Sequence, residues 1–133
     1  MPTAVLAVTF DCHDPVAMAA FWAAALSYRP SAWDDIGRVA DPEARFLEDP
    51  TGAGPNLFFI EVPESKVVKN RVHLDLLAET SMETDVERLT AAGARAVTTI
   101  READDVPDAY IWTVMQDPEG NEFCVGEPVS RRA

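Results

Sequence analysis

With 133 residues the chain can hold one core, or two small modules sharing one, and is too short for two independent domains; 47% apolar and 26% charged residues are ordinary for a globular protein in water. Its 23 acidic against 11 basic residues give a formal net charge of −12, which repels a phosphate backbone or an anionic membrane and leaves a neutral or cationic small molecule as the easier partner. No apolar run is long enough to span a bilayer, no basic stretch precedes the apolar VLAV, and two cysteines make no disulfide framework, so the expected setting is the cytoplasm, with neither nucleic acid nor membrane as partner.

Residues 5–12, VLAVTFDC, predict a strand, and a helix follows. Asp14 is suited to its N-cap, Pro15 to its first position, and Met18, Phe21, Trp22 and Ala25 recur at i, i+3, i+4 and i+7. Residues 30–55 are richer in Pro and Gly and predict short strands near Ile36 to Ala40 and Arg45 to Glu48, before the clear strand NLFFIEVP at 56–63. After the polar connector PESKVVKN the plan restarts. RVHLDLLAE at 71–79 predicts a strand; Thr80 and Glu83 suggest a capping box for a helix that sets Met82, Val86 and Leu89 on one face and stops at Gly93. RAVTTI predicts a further strand, EADDVPD an acidic loop, and WTVMQDPEGNEFCV a β-hairpin with Asp117 to Asn121 as its turn.

Each half therefore reads strand, helix, then about three strands, and V-T-F-D at 8–11 echoes V-H-L-D at 72–75. Two such βαβββ units, about 5–63 and 71–126, make an α+β fold within a single 1–133 domain. Laid side by side with helices outside, their sheets would curl into an open cup that holds a ligand.

FDCHDPVAMAAFWAAAL, VPESKVVKNRVHLDL and WTVMQDPEGNEFCV together resemble the glyoxalase-like branch of the vicinal oxygen chelate superfamily, which includes glyoxalase I, bleomycin-resistance proteins and extradiol dioxygenases. The resemblance runs from about Val5 to Gly126, with KNRVHLDL and DPEGNEFCV its specific parts; residues 30–55 carry almost none of it, and Ser27 stands where such proteins read Leu-Gly-Tyr. It implies a homodimer, for which the PESKVVKN connector is long enough to permit module exchange. It also implies four His or Glu metal ligands spread over both modules. His73 matches one ligand position, Cys124 stands where metal-binding relatives carry Glu, Glu61 is a match for a third, and the fourth falls on Ala7 or Thr9, neither a usual ligand. The expectation is accordingly no bound metal and no cofactor.

His73 reads either as a half-buried strand histidine bonded to Asp75 or the backbone, or as a polar handle in the cup that moves a proton near neutral pH. H-x-D sets His73 and Asp75 on one strand face. Asp11, Glu61, Asp75 and Glu122 share the cavity if alternation holds along each strand, and Trp33 and Trp112 line it with Phe58 or Phe59. A small organic molecule, neutral or cationic, bound by His73, Asp75, Glu61, Trp33, Phe59, Trp112 and Cys124 is the reading these residues favour. Two alternatives stay open: a metal-free enzyme using His73 as acid or base, and a metal-dependent lyase, isomerase or dioxygenase of the same superfamily.

Overall fold

The computed structural model describes residues 2–31 and 44–132; Trp33 and the strand expected near Ile36 to Ala40 lie outside them. The chain divides into two compact units, Met1–Lys66 and Val67–Ala133.

The first unit runs β1 (Ala7–Cys12), α1 (Pro15–Leu26), β2 (Arg29–Pro30), β3 (Arg45–Glu48) and β4 (Asn56–Glu61). Its sheet has the order β1-β4-β3-β2, with β1 parallel to β4 and the other pairs antiparallel. α1 begins as its sequence dictates: Asp14 Oδ1 accepts the Ala17 N–H at 3.0 Å, and Pro15 occupies the first turn, where no N–H is needed. The predicted stripe of Met18, Phe21, Trp22 and Ala25 is buried against β3 and β4. The helix ends at Ser27, which takes the left-handed conformation, φ 54°, and Tyr28 N–H closes on the Ala23 carbonyl at 3.1 Å. Ser27 thus adopts the backbone geometry for which related turns use glycine.

The second unit repeats the plan with β5 (Asp75–Leu77), α2 (Met82–Ala91), β6 (Arg95–Arg101), β7 (Tyr110–Gln116) and β8 (Glu122–Pro128), closed by a 3-10 turn at Val129–Arg132. Its sheet order, β5-β8-β7-β6, again sets the first strand parallel to the last. Both units are βαβββ with an open mixed sheet, the α+β architecture that the element order implied. Met82, Leu89, Ile111, Met115, Phe123 and Val125 form the core beneath α2.

Two local expectations are corrected. The cap of α2 is Ser81, whose Oγ accepts the Thr84 N–H at 3.1 Å, so the box written on Thr80 and Glu83 starts one residue early. Glu83 instead receives Arg132 Nη1 at 3.1 Å, and that guanidinium also reaches the buried Glu127 at 2.7 Å. Glu127 further accepts the Met82 N–H at 3.2 Å, so a buried carboxylate is satisfied at the positive end of α2. The strand expected over 71–79 forms a ladder only at Asp75–Leu77. It stops there because Glu79 N–H turns away to Asp85 Oδ2 at 3.1 Å, leading the chain into α2.

The hairpin turn is built by one side chain. Asp117 is 4% exposed; its Oδ1 accepts the N–H groups of Glu119 and Asn121, both at 3.0 Å, and its Oδ2 accepts Asn121 Nδ2 at 3.0 Å. Gly120 closes the loop at φ 85°, a conformation that costs glycine nothing.

Candidate functional site

Strand alternation sorts the second sheet into two faces. Phe123 and Val125 of β8 and Ile111 and Met115 of β7 point into the core. Glu122, Cys124 and Gly126 therefore face the other way, with Val114 opposite Cys124 and Trp112 opposite Gly126 in the antiparallel ladder. Asp75 and Leu77 reach the same face because the parallel β5–β8 register pairs them with Cys124 and Gly126. With Lys69 and His73 from the chain ahead of β5, and Tyr110 at the start of β7, these residues line a pocket of about 670 Å³. Leu76, Leu77, Tyr110, Trp112 and Val114 supply its apolar part, and Lys69, His73, Asp75 and Glu122 its polar part.

Glycine at 126 is what lets this wall close. A Cβ there would stand 2.5 Å from the Ile111 carbonyl oxygen and 2.7 Å from Trp112 Cβ. Glu122 is held from below, its Oε1 accepting the Asn70 N–H at 3.0 Å while its carbonyl accepts Asn70 Nδ2 at 3.2 Å. His73 and Asp75 pair through Nε2 and Oδ1 at 3.2 Å, with 38% and 77% of their side-chain surfaces exposed. Both are thus open to whatever enters.

The Cys124 thiol, 8% exposed, is pushed up from its ordinary value by burial, and further by the charge of Asp75 and its hydrogen bond, against a smaller opposing pull from Lys69. A thiol so placed is neutral at neutral pH and alkylates slowly, since the thiolate is the nucleophile. In chelator-treated protein, iodoacetamide labelling of Cys124, followed by peptide mass mapping, is expected to accelerate only in the alkaline range. Asp75→Asn removes a carboxylate that disfavours the thiolate and moves that rise to lower pH; Lys69→Ala moves it higher. An unshifted profile in Asp75→Asn would contradict this electrostatic account.

The expected site residues divide between the units. His73, Asp75, Trp112 and Cys124 lie together around the pocket, and Glu122 joins them. Glu61 is in the first unit, exposed at the end of β4 opposite Cys12, and alternation puts it on the face of the buried Leu57 and Phe59. Phe59, expected in a ligand wall, is 0% exposed and stacks on Phe10 with ring centroids 5.1 Å apart, which makes it a core residue. Trp33 lies outside the described residues. Lys69, Leu77 and Tyr110 escaped the sequence reading. The alternation Tyr110, Trp112, Val114 is a signal that would have found the tyrosine.

The four-ligand set implied by the resemblance does not fit this chain. Ala7 and Thr9 bring no usual ligand, Glu61 shares the helix-side alternation of β4, and Cys124 offers sulfur in place of a carboxylate. What the second unit does bring together is one donor atom each from His73, Asp75 and Cys124, all within 4.8 Å of one another.

The glyoxalase-like domain family profile matches residues 7–126. Among curated proteins, none matches this chain. Among solved structures, a glyoxalase/bleomycin resistance protein/dioxygenase family enzyme from Burkholderia phytofirmans PsJN superposes with a TM-score of 0.68 at 21% identity, covering 94% of this chain and 99% of its own. A superfamily member from Sphaerobacter thermophilus gives 0.67 at 17%, covering 95% and 98%. A mutant fosfomycin resistance protein from Listeria monocytogenes, complexed with manganese(II) and 1S,2S-dihydroxypropylphosphonic acid, gives 0.67 at 14%, covering 94% and 90%. At these identities the likeness is one of fold.

Proposed function

The chain belongs to the glyoxalase-like domain family, and on that premise we propose that its second unit binds a small organic molecule, neutral or cationic and bearing a planar apolar group, in the pocket of Trp112 and His73. The observation that carries this reading is the alternation along β5, β7 and β8, which sets an aromatic and aliphatic wall on the same face as Asp75 and Glu122, in the pocket that His73 also lines. A concave site with a few converging polar groups is the usual form of a small-molecule pocket. Two carboxylates against the single ammonium of Lys69 in its lining favour a positive or neutral guest over an anion such as the phosphonic acid of the Listeria protein.

Benzamidine and benzoate, alike in shape and opposite in charge, test the proposal through tryptophan fluorescence, with Trp112→Phe assigning the signal. Benzamidine is expected to perturb Trp112 saturably and benzoate to bind at least several-fold more weakly, with the difference shrinking in Asp75→Asn. Tighter binding of benzoate would overturn the charge assignment; silence of Trp112 toward both would overturn the site. A second reading, acid–base chemistry by His73, is favoured by the 3.2 Å contact with Asp75, which orients the imidazole as a partnered general base requires.

A further inference from the structure

We infer that the guest of the second unit is an aromatic amino acid or a close analogue, a zwitterion whose ring lies on Trp112 while its carboxylate meets Arg131 and its ammonium Glu79 in an adjoining cleft. Such a guest presupposes the small-molecule reading above and gives it a chemical class. The cleft, about 610 Å³, is lined by Leu77, Ala78, Glu79, Tyr110, Pro128 and Arg131. Leu77 and Tyr110 also line the pocket of Trp112, so the two hollows meet at these side chains.

Arg131 is set there by the fold. Its Nη1 donates to the Ala78 carbonyl at 2.8 Å and its Nη2 to the Glu79 carbonyl at 2.9 Å, which fixes the guanidinium plane with two of its five N–H groups. Both acceptors are neutral, so the positive charge stays uncompensated by them. The neighbouring Arg132 differs, being engaged by the carboxylates of Glu83 and Glu127. A guanidinium fork held in one plane recognises a carboxylate through paired N–H bonds. Glu79 brings an exposed carboxylate to the same cleft, which disfavours a guest that is only anionic and suits one with an ammonium beside its carboxylate. A zwitterion is neutral overall, the charge class that Asp75 and Glu122 already favour. The spacing agrees. Trp112 stands opposite Gly126 and Tyr110 opposite Pro128, so pocket and cleft are successive positions on one face, about 7 Å apart along the strands. An aromatic ring and its own α-carboxylate, with one hydrogen bond added, cover that distance.

The test titrates full-length protein with L-phenylalanine, phenethylamine and 3-phenylpropanoate, which share a ring and differ in their charged end. Tryptophan fluorescence, excited beyond the absorption of these probes, reports binding, and Trp112→Phe assigns the signal. Phenylalanine is expected to bind roughly fivefold more tightly than either analogue, the scale of one ion pair at an exposed site. Arg131→Gln brings it level with phenethylamine, and Glu79→Gln brings it level with 3-phenylpropanoate. Either analogue binding the wild-type protein as tightly as phenylalanine would overturn the assignment, whether or not the variants fold. A loss in Arg131→Gln shared equally by phenethylamine would also overturn it, and would make Arg131 a support for the end of β5. Silence of Trp112 toward phenylalanine overturns it as well, and the benzamidine titration then separates the two claims: a benzamidine response leaves the pocket standing without this guest, and silence toward both removes the pocket too.

Discussion

Gly126→Ala is expected to destabilise the second unit by about 2–3 kcal/mol, the upper range for overpacking a well-filled site. The added methyl would lie 2.5 Å from the Ile111 carbonyl oxygen and 3.1 Å from Trp112 Cα, both backbone atoms that cannot swing aside as a side-chain end would. β7 and β8 must part at the Trp112–Gly126 pair, and Trp112 moves with them. Urea denaturation followed by far-ultraviolet circular dichroism measures the loss, and the tryptophan response to benzamidine reports the pocket. A wild-type midpoint would mean that the two strands are not so close at this pair.

Asp117→Ala is expected to cost about 3 kcal/mol, because it leaves several N–H donors without their shared acceptor at a position only 4% exposed. Asn121 loses partners for both its backbone and its amide. Asp117→Asn keeps an acceptor oxygen and should cost roughly 1 kcal/mol. The same denaturation series decides the matter, and a loss below about 0.5 kcal/mol in the alanine variant would leave the turn held by Pro118, Gly120 and the backbone hydrogen bonds of Asp117 with Asn121 and Gly120. The acidity of this link is thereby explained: the carboxylate is the scaffold of the turn, and the turn holds the two strands that carry Trp112, Val114, Glu122 and Cys124 in register.

These two residues also mark how far the sequence could be read. Asp117 and Gly120 announce a turn through chemistry that acts over a few residues, as do Asp14 and Pro15 at the start of α1. The His73–Asp75 contact was legible too, because side chains two apart on an extended chain share a side. Gly126 gave no such sign, since its need is set by a strand more than ten residues away. Cys124 entered the site only through the family resemblance; its meeting with Asp75 depends on the β5–β8 register, a non-local pairing that no local pattern encodes. Phe59 misled for the opposite reason: NLFFIE is apolar at consecutive positions, and only the packing of α1 decides which phenylalanine is covered. In α2, Ser81 and Thr80 are neighbours of equal capping chemistry, and the hydrogen bond to Thr84 N–H selects between them.

The parallel pairing of first strand with last has a consequence for how the chain is made. β1 begins at Ala7, yet its partner in the ladder is Asn56, so among the described residues the first strand of this unit gains its sheet neighbour only when nearly the whole unit has emerged from the ribosome. The second unit repeats the delay, with Asp75 waiting for Cys124. Each sheet is thus completed by the last strand synthesised, which inserts between the first strand and those already formed. Such long-range closure is slow relative to hairpin formation. A nascent chain halted before residue 56 would therefore display β1 with one apolar face uncovered, the stage at which a holding chaperone has most to protect.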